Sequence, residues 1–258
     1  MLTKIISVKE DEMKFFSLPK KQSVTNYSLH RALSKPNRNI GLIAEVKKAS
    51  PSKGVIRAEF HPVEIAKEYM DSKVDAISVL TDRTFFQGSL DYLTQIKQIV
   101  NIPVLRKDFI VDRRQILESK HIGADAILLI GEVLEPLKLK EFYLEAEELG
   151  IECLVEIHSI QTVEALLKEI TPRIIGINNR NLATFQSSIH HTKEIVPYLP
   201  STCLVISESG IHSTIDVQTV KNYGAHAILV GEAFMKEEEP SEGIRKMFGE
   251  TSLEKTII

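Results

Sequence analysis

The stretch GADAILLIGE, at residues 123–132, recurs near the C-terminus as GAHAILVGE, at residues 224–232. In both copies a small-residue turn of the kind that ends a helix leads into a short apolar run that stops at Gly-Glu. A short apolar run bounded by turn residues is typical of a strand that is buried on both faces, as in a parallel sheet. The repeat predicts a chain built from similar helix–turn–strand units.

From about residue 41 onward, short apolar runs alternate with longer amphipathic ones. The predicted strands are Leu42–Lys47, Ala76–Leu80, Val104–Lys107, Ala126–Ile130, Cys153–Ile157, Ile174–Asn178, Cys203–Ser207 and Ala227–Val230. The predicted helices that follow them are His61–Ser72, Leu90–Val100, Arg113–His121, Leu137–Leu149, Thr162–Glu169, Ser188–Tyr198, Thr214–Asn222 and Ser241–Phe248. Regular strand–helix alternation requires a parallel sheet with right-handed crossovers. Eight such units predict an α/β fold that closes as a single (β/α)8 TIM barrel.

The chain length of 258 residues suits one α/β barrel, which we expect to span residues 41–250. Residues 251–258 form a predicted C-terminal tail. Residues 1–40 do not fit the alternation, and we expect them to form an N-terminal helical extension with helices in Met1–Phe16 and Asn26–Leu33. In a closed barrel such an extension must pack on an end or a flank, as a lid-like or capping arm.

The composition, with 43% hydrophobic and 26% charged residues, is that of an ordinary globular protein. A formal net charge of −3 gives no reason to expect a nucleic acid or an anionic membrane as the partner. No apolar run approaches the length needed to span a bilayer. We expect no secretory signal, because Met1–Phe16 mixes Lys, Glu and Asp with apolar residues.

The two cysteines, Cys153 and Cys203, both lie in apolar runs. We expect buried free thiols in a reducing compartment, and therefore a cytoplasmic protein. No metal site is predicted, because His190 and His191 are adjacent and His158 has no suitable neighbour. No Walker A or GxGxxG motif is present, so no nucleotide cofactor is predicted.

The first predicted strand runs directly into charge in IAEVKKASPSKG, residues 43–54. Side chains alternate along a strand, so Glu45 and Lys47 should project from the same face. Such a pair is costly to desolvate unless its members bind each other or take part in chemistry. A surface ion pair beside a turn is the alternative that this segment leaves open. The run after it is predicted to be a loop with a flexible exit at Gly54.

Polar or glycine residues end every predicted strand, and in a (β/α)8 barrel the active site lies at those carboxyl ends. In chain order they are Glu45 and Lys47; Thr81 and Asp82; Arg106, Lys107 and Asp108; Gly131 and Glu132; Glu156 and His158; Asn178, Asn179 and Arg180; Ser207, Glu208, Ser209 and Gly210; and Gly231 and Glu232. This ring offers acids and amines for proton transfer, together with donors that orient an anion. We therefore predict an active site at this end.

A phosphate site is predicted at the loops after the seventh and eighth strands, which is the usual place in such barrels. Ser209–Gly210 and Gly231–Glu232 offer backbone N–H groups there. Gly231–Phe234 is expected to open a short helix whose N-terminus faces the anion. Ser50 and Lys53 of the first loop are expected to close over it.

Six stretches resemble, in the same order, motifs of the indole-3-glycerol-phosphate synthase family. They are Ile43–Ser52, Pro103–Ile110, Val155–Ile157, Gly176–Leu182, Ser207–Ile211 and Val230–Ala233. The resemblance runs from Gly41 to Met235 and is poorest in residues 1–40, where the family carries a helical extension. It implies a cofactor-free enzyme of tryptophan synthesis that converts 1-(2-carboxyphenylamino)-1-deoxyribulose 5-phosphate to indole-3-glycerol phosphate, releasing carbon dioxide and water. The implied partner is this small phosphorylated substrate, and no particular protein partner is indicated.

The catalytic residues implied by the resemblance are Glu45, Lys47, Lys107, Glu156, Asn178 and Ser209. Lys107 would be the general acid at the substrate carbonyl, and Glu156 the base in the dehydration. Lys47 would be a second acid or an electrostatic clamp, positioned by Glu45, and the division of proton transfers between the two lysines stays open. We expect the crowding of the two lysines around one substrate to tune their affinity for protons.

The substrate-binding residues implied by the resemblance are Ser50, Lys53, Arg180, Glu208, Gly210, Gly231 and Glu232. Arg180 would orient the anthranilate part together with Asn178, because a planar guanidinium suits a carboxylate. Glu208 would complete the polar rim together with Ser209. The first-loop residues and the glycines would hold the phosphate.

Two other readings remain. One is another phosphate-binding barrel, such as the isomerase of the preceding step or the α subunit of tryptophan synthase. That isomerase is expected to use a cysteine–aspartate pair, whereas the first strand here carries Glu-x-Lys. The other is an inactive barrel kept as a scaffold, which the loss of Lys107, Glu156 or Glu45 would favour; all three are present.

Overall fold

The computed structural model describes residues 1–181 and 184–250; the predicted tail, 251–258, lies outside them. The predicted fold is confirmed, since eight parallel strands form a closed barrel. They are Gly41–Val46 (β1), Ala76–Leu80 (β2), Val104–Lys107 (β3), Ala126–Ile130 (β4), Glu152–Ile157 (β5), Ile174–Asn178 (β6), Leu204–Glu208 (β7) and Ala227–Val230 (β8). The barrel closes because β1 pairs with β8 along one edge and with β2 along the other.

The helices match most predicted bounds within a few residues. They are Leu2–Glu12 (α1), Leu29–Ser34 (α2), Pro62–Asp71 (α3), Leu90–Lys97 (α4), Arg114–Ile122 (α5), Pro136–Glu148 (α6), Ile160–Leu167 (α7), His190–Ile195 (α8), Thr214–Asn222 (α9), Glu232–Met235 (α10) and Pro240–Phe248 (α11). The short helix expected after Gly231 is α10. The helix predicted over Ser188–Tyr198 is shorter, and Val196–Tyr198 forms a 3-10 turn. Pro197 explains the change, because proline has no N–H to donate to the carbonyl four residues earlier in an α-helix.

The loop after β1 is more ordered than predicted. Ala49–Ser50 pairs antiparallel with Gly54–Val55 and makes a small hairpin. Gly54 has a φ of 67°, a left-handed conformation that glycine adopts without strain. The expected flexible exit is therefore a hairpin strand.

Three corresponding positions tie neighbouring strands together at the amino end of the barrel. Asp75 accepts the N–H of Leu42 in β1 at 2.8 Å, and Asp125 accepts the first N–H of β3 at 2.8 Å. The ring nitrogen Nδ1 of His226 accepts the N–H of Val205 in β7 at 3.0 Å. Asp125 and His226 occupy the third position of the two copies of the sequence repeat, and each accepts the equivalent backbone N–H of the preceding strand.

Helix α2 closes the amino end of the barrel. Its Leu29 and Leu33 are buried in one cluster with the strand residues of the barrel interior. Gly41 permits this approach, because a Cβ there would lie 2.8 Å from Ala227 Cβ and 3.1 Å from Leu33 Cδ2. The N–H of Tyr27, just ahead of α2, is accepted by Asp125 at 2.7 Å. This part of the extension therefore closes the amino end of the barrel and does not cover the carboxyl end, where the active site is predicted.

Helix α1 lies across the opposite, carboxyl end, where Leu2 and Ile5 line a cavity. Lys9 fixes the helix there, because its buried Nζ lies 3.0 Å from Asp82 Oδ1 and 3.0 Å from Asp108 Oδ1. Asp108 follows β3 directly, and Asp82 lies two residues after the end of β2. The extension therefore holds both ends of the barrel.

Among the residues that the structure describes, no helix is long and apolar enough to cross a membrane.

Lys9→Met should destabilise the protein by about 3–5 kcal/mol, the usual cost of removing one partner of a buried ion pair. Asp82 and Asp108 would keep their burial and lose a counter-charge. Urea unfolding measures the loss, and hydrogen exchange of the α1 amides locates it. Lys14→Met is the matched control, because Lys14 forms an exposed pair with Asp11 at 2.6 Å and should change little. Equal effects of the two substitutions would contradict the anchoring role of Lys9.

Candidate active site

A cavity of about 190 Å³ opens at the carboxyl end of the barrel. The predicted site residues that line it are Glu45, Lys47, Ser50, Lys107, Glu156, Asn178, Arg180, Glu208, Ser209, Gly210, Gly231 and Glu232. Lys53 lies at the rim, with a side chain that is 53% exposed and an Nζ 4.0 Å from Glu232 Oε1. The structure thus brings together residues from six of the eight strand ends.

Lys107 lies between two acids. Its Nζ is 2.6 Å from Glu156 Oε2 and 3.0 Å from Glu208 Oε2, and all three side chains are nearly buried. They come from β3, β5 and β7, because alternate strands point side chains into the same layer of a barrel. Gly176 lies in β6, between β5 and β7, and a Cβ there would collide with Glu208 Oε1. This glycine lets Glu208 reach the ammonium group.

Glu45 and Lys47 form the predicted pair on one face of β1. Lys47 Nζ lies 2.6 Å from Glu45 Oε1, and Ser78 Oγ donates to Glu45 Oε2 at 3.5 Å. The surface alternative is wrong, since the Glu45 and Lys47 side chains are only 6% and 14% exposed. A Cβ at Gly231 would lie 2.7 Å from Glu45 Oε1, so a glycine is needed for this carboxylate to fit.

Asn178 forms hydrogen bonds with both Glu156 and Arg180. Its Nδ2 donates to Glu156 Oε1 at 3.1 Å, and its Oδ1 accepts the N–H of Arg180 at 3.0 Å. Arg180 Nη1 in turn donates to Ser52 Oγ at 2.8 Å. The guanidinium therefore reaches toward the hairpin after β1.

Glu232 stands among the cations at that end. Its carboxylate is 2.6 Å from Lys236 Nζ, 3.6 Å from Arg180 Nη2 and 4.0 Å from Lys53 Nζ. Burial opposes its ionisation, but the hydrogen bond from Lys236 and the nearby lysine charges lower the pKa of Glu232. The side chain is therefore an anion in the place where the sequence predicted an anionic ligand.

The turn after β7 is held in an uncommon conformation. Ser209 and Gly210 have φ angles of 68° and 77°, and such a value at a non-glycine residue costs roughly 1–3 kcal/mol. The carbonyl of Ser209 accepts from Asn179 Nδ2 at 3.1 Å, which stabilises the turn. Ser50 also lines the cavity, and its buried Oγ has no hydrogen-bond partner among the described residues. Both features suit a site that completes its contacts with a ligand.

The charges of Lys107, Glu156 and Glu208 shift one another's pKa values. Burial opposes the charge of Lys107, but Glu156, Glu208 and Glu45 outweigh burial and raise the pKa of Lys107 well above its ordinary value. Burial works against ionised Glu156 as well, yet Lys107 and then His158 hold the pKa of Glu156 low. For Glu208 burial prevails and raises its pKa from 4.5 to about 7. The tuning expected from the crowding of Lys47 and Lys107 around the substrate stays a prediction; in the free site the charges that shift the pKa of Lys107 are carboxylates.

Some polar strand-end residues belong to the scaffold instead. Arg106 is buried and binds Asp108 at 3.1 Å and Glu118 at 2.7 Å through Nη2. Asn179 donates to Ser207 Oγ at 2.9 Å in the interior. Within residues 1–181 and 184–250, no three or more His, Cys, Asp or Glu side chains are arranged to hold a metal ion.

The sequence reading missed an apolar wall of the cavity, formed by Leu2, Ile5, Phe86, Phe109 and Phe185. Phe109 carried a usable signal, because it follows Lys107–Asp108 directly. Leu2 and Ile5 are three residues apart, so they share a face of α1. The loop phenylalanines had no such periodicity to identify them.

A family model described as indole-3-glycerol phosphate synthase matches residues 3–247. The chain belongs to the indole-3-glycerol phosphate synthase family. The match includes α1 and α2, so the extension, where the sequence resemblance is poorest, is part of the family region.

Relatives in the family are similar over their full length. The indole-3-glycerol phosphate synthase of Priestia megaterium is 57% identical over 97% of this chain and 98% of its own. That of Halalkalibacterium halodurans is 55% identical over 96% of this chain and 97% of its own. That of Bacillus velezensis is 53% identical over 97% of this chain and 100% of its own.

More distant solved structures share the barrel. The 3-hexulose-6-phosphate synthase of Salmonella typhimurium superposes with a TM-score of 0.65 over 81% of this chain and 97% of its own, at 17% identity. Thiamine phosphate pyrophosphorylase from Pyrococcus furiosus gives a TM-score of 0.59 over 82% and 96%, at 16% identity. At these identities the similarity concerns the fold alone.

Glu208→Gln should remove a loss of stability that the wild type shows as the pH rises. In the wild type the pKa of Glu208 is higher in the folded chain, about 7, than the ordinary 4.5, so folding loses stability as the pH rises between these values. The free energy of unfolding of the variant relative to wild type should therefore rise by on the order of 3 kcal/mol from pH 4.5 to pH 8. Urea unfolding across this range measures the slope.

Glu232→Gln is the matched control with the opposite sign. The pKa of Glu232 is lowered on folding, so this substitution removes stability that is present at higher pH. If the free energy of unfolding relative to wild type changed with pH in the same direction in both variants, the raised pKa would not belong to Glu208.

Proposed function

We propose that this chain catalyses the decarboxylating ring closure and dehydration of 1-(2-carboxyphenylamino)-1-deoxyribulose 5-phosphate to indole-3-glycerol phosphate, the reaction of its family in tryptophan biosynthesis. The observation that carries the proposal is the Lys107 ammonium, held between Glu156 and Glu208 inside the cavity. The substrate has a phosphate at one end, an aromatic carboxylate at the other and a carbonyl between them. The cavity is lined by Arg180, by the apolar wall and by Lys107, which supply a cation, an apolar surface and a proton donor for these three parts.

The phosphate end would be formed by the turn after β7 and the start of α10. The first amides of a helix have no partner within it, so the N–H groups at Gly231 and Glu232 are suited to an anion. Gly210 and Ser50 also line the cavity, and we propose that they contact the phosphate. The Glu232 carboxylate would oppose the phosphate, and we propose that the phosphate displaces it from Arg180.

Arg180 is better suited to this phosphate end than to the anthranilate carboxylate suggested by the resemblance. Its guanidinium binds Ser52 and approaches Glu232, and Lys53 lies near the same carboxylate. For the anthranilate carboxylate we propose Lys47, whose ammonium is positioned by Glu45. The aromatic ring would pack on the apolar wall.

Ring closure joins the aromatic carbon that bears the carboxylate to the substrate carbonyl carbon. As this bond forms, the carbonyl π bond breaks and Lys107 gives a proton to the oxygen. Loss of carbon dioxide breaks the bond to the carboxylate, and its electron pair restores the aromatic ring. The new hydroxyl then takes a proton from Lys47, the second acid implied by the resemblance, and leaves as water while Glu156 takes a proton from the neighbouring carbon. A raised pKa keeps Lys107 charged until the far more basic alkoxide develops.

Asn178 and Ser209 would support this chemistry from the cavity wall. Asn178 orients Glu156 through its hydrogen bond to Oε1, and Ser209 shapes the turn beside the phosphate. A cytoplasmic location is proposed as well, because the free cysteines Cys153 and Cys203 are buried and unpaired with each other, as in a reducing compartment.

Lys107→Met should lower kcat by roughly 10²–10⁴-fold, because it removes the proton donor and keeps most of the apolar bulk. KM should change little, since phosphate contacts supply ground-state binding. Product appearance is followed by indole fluorescence, which has no tryptophan background because the chain has no tryptophan.

Glu156→Gln is the informative companion variant. It should stall the later dehydration, so a ring-closed, decarboxylated intermediate should accumulate in single-turnover mixing. Near wild-type kcat in Lys107→Met would reject the donor role and make Lys47 the leading candidate.

Inorganic phosphate should raise the melting temperature of the wild type in a saturable way, because a ligand that binds only the folded state stabilises it. Arg180→Gln should remove most of this increase. Arg113→Gln is the matched control, because Arg113 is exposed and pairs with Glu145 at 3.3 Å, outside the residues that line the cavity. An unchanged phosphate response in Arg180→Gln would place the anion elsewhere.

A further inference from the structure

Behind Glu156 lies a histidine that the proposed mechanism does not use. His158 follows β5 directly, and its Nδ1 lies 2.9 Å from Glu132 Oε2. The other oxygen of Glu132 accepts the backbone N–H of His158 at 2.7 Å. The acid thus holds both the backbone and the ring of His158. Neither residue is among those that line the cavity.

The second ring nitrogen of His158 points at the proposed base. Nε2 is buried, has no hydrogen-bond partner among the described residues and lies 3.6 Å from Glu156 Oε1. This separation is longer than the roughly 2.7–3.2 Å of a hydrogen bond, but close enough for a strong charge interaction. The hydrogen bond at Nδ1 sets the ring so that Nε2 faces the carboxylate.

Glu156 needs a partner of this kind during turnover. In the free site its charge is balanced by Lys107 at 2.6 Å, while Asn178 contributes a neutral donor. When Lys107 gives its proton to the substrate, the buried carboxylate loses that counter-charge. A carboxylate left without a cation in a buried site takes up a proton, and protonated Glu156 cannot act as a base.

We propose that Glu132 and His158 form a positioning pair that presents an imidazolium to Glu156 and keeps this base ionised after Lys107 has given up its proton. The proposal rests on the role of Glu156 proposed above. His158 does not touch the substrate in this account. It acts through Glu156.

The charged surroundings of His158 favour the imidazolium. Carboxylates face it from three strand ends, namely Glu132 after β4, Glu156 in β5 and Glu208 in β7. Burial opposes the charge, but the hydrogen bond with Glu132 and these carboxylates raise the pKa of His158. From α8, His191 Nε2 lies 2.9 Å from the backbone carbonyl oxygen of His158, so its hydrogen bond is to the backbone and not to the ring. The opposing cation is Lys107, on the far side of Glu156.

The test is the pH dependence of single-turnover indole formation in wild type, His158→Gln and Glu132→Gln. Without the imidazolium the pKa of Glu156 rises, so the acid limb of the His158→Gln profile should move up by about one pH unit or more. The rate on the alkaline plateau should stay close to that of wild type. Glu132→Gln should shift the limb in the same direction, because His158 loses the carboxylate that favours its charge.

His191→Gln is the matched control, since it removes the neighbouring histidine and leaves the ring of His158 in place. Its acid limb should coincide with that of wild type. A loss in His158→Gln that is equal at every pH, or an unmoved acid limb, would overturn the proposal and leave His158 a structural residue.

A second readout does not depend on turnover. Histidine proton NMR of the substrate-free protein, with the resonance of His158 assigned by its absence in His158→Gln, gives the pKa of His158 directly. That pKa should fall by about one unit in Glu156→Gln and again in Glu132→Gln. An unchanged value in Glu156→Gln would reject the charge contact. Wild-type protein that forms no product at any pH would instead reject the proposed function, and the NMR result would still decide the pairing.

Discussion

One ammonium group shared by two buried carboxylates is the interaction on which the site depends. Lys107 lies 2.6 Å from Glu156 and 3.0 Å from Glu208, in surroundings where each charge alone would be costly to desolvate. The closed barrel brings these side chains together, because alternate strands point into one layer of its interior. The requirement extends into the scaffold, because Gly176 must lack a side chain for Glu208 to reach the ammonium.

The N-terminal extension connects this centre to the stability of the whole chain. Lys9 of α1 binds Asp108, the residue next to Lys107 in sequence, and the same helix supplies Leu2 and Ile5 to the cavity wall. Helix α2 closes the opposite end with Leu29. The segment that lies outside the strand–helix alternation therefore covers the site at one end and completes the core at the other.

Sequence patterning predicted most of the fold because strands and helices leave distinct periodicities. The repeat at residues 123–132 and 224–232 marks the helix–turn–strand units that contain β4 and β8, and turn chemistry located most element boundaries. The predicted α-helix extended too far, through Tyr198, because Pro197 within it ends the α-helical hydrogen bonding. The hairpin after β1 was missed because two-residue strands leave no periodic signal.

The site was predictable to the extent that topology decides which residues meet. Alternation in β1 implied the Glu45–Lys47 pair, and strand ends implied the ring around the cavity. Pairings across the barrel, such as that of Arg180 with Ser52, depend on side-chain reach and could not be read from spacing. The protonation states of the site residues were harder still to predict, because the pKa of Lys107 depends on which charges lie nearest in space.

The most direct test of this account is a titration of the Lys107 ammonium by NMR in protein that carries isotope-labelled lysine, assigned by comparison with Lys107→Met. The carboxylates of Glu156 and Glu208 should keep Lys107 protonated well above the ordinary lysine pKa of 10.5. A Lys107 that titrates below 10.5 would contradict the account, because burial would then outweigh the paired carboxylates.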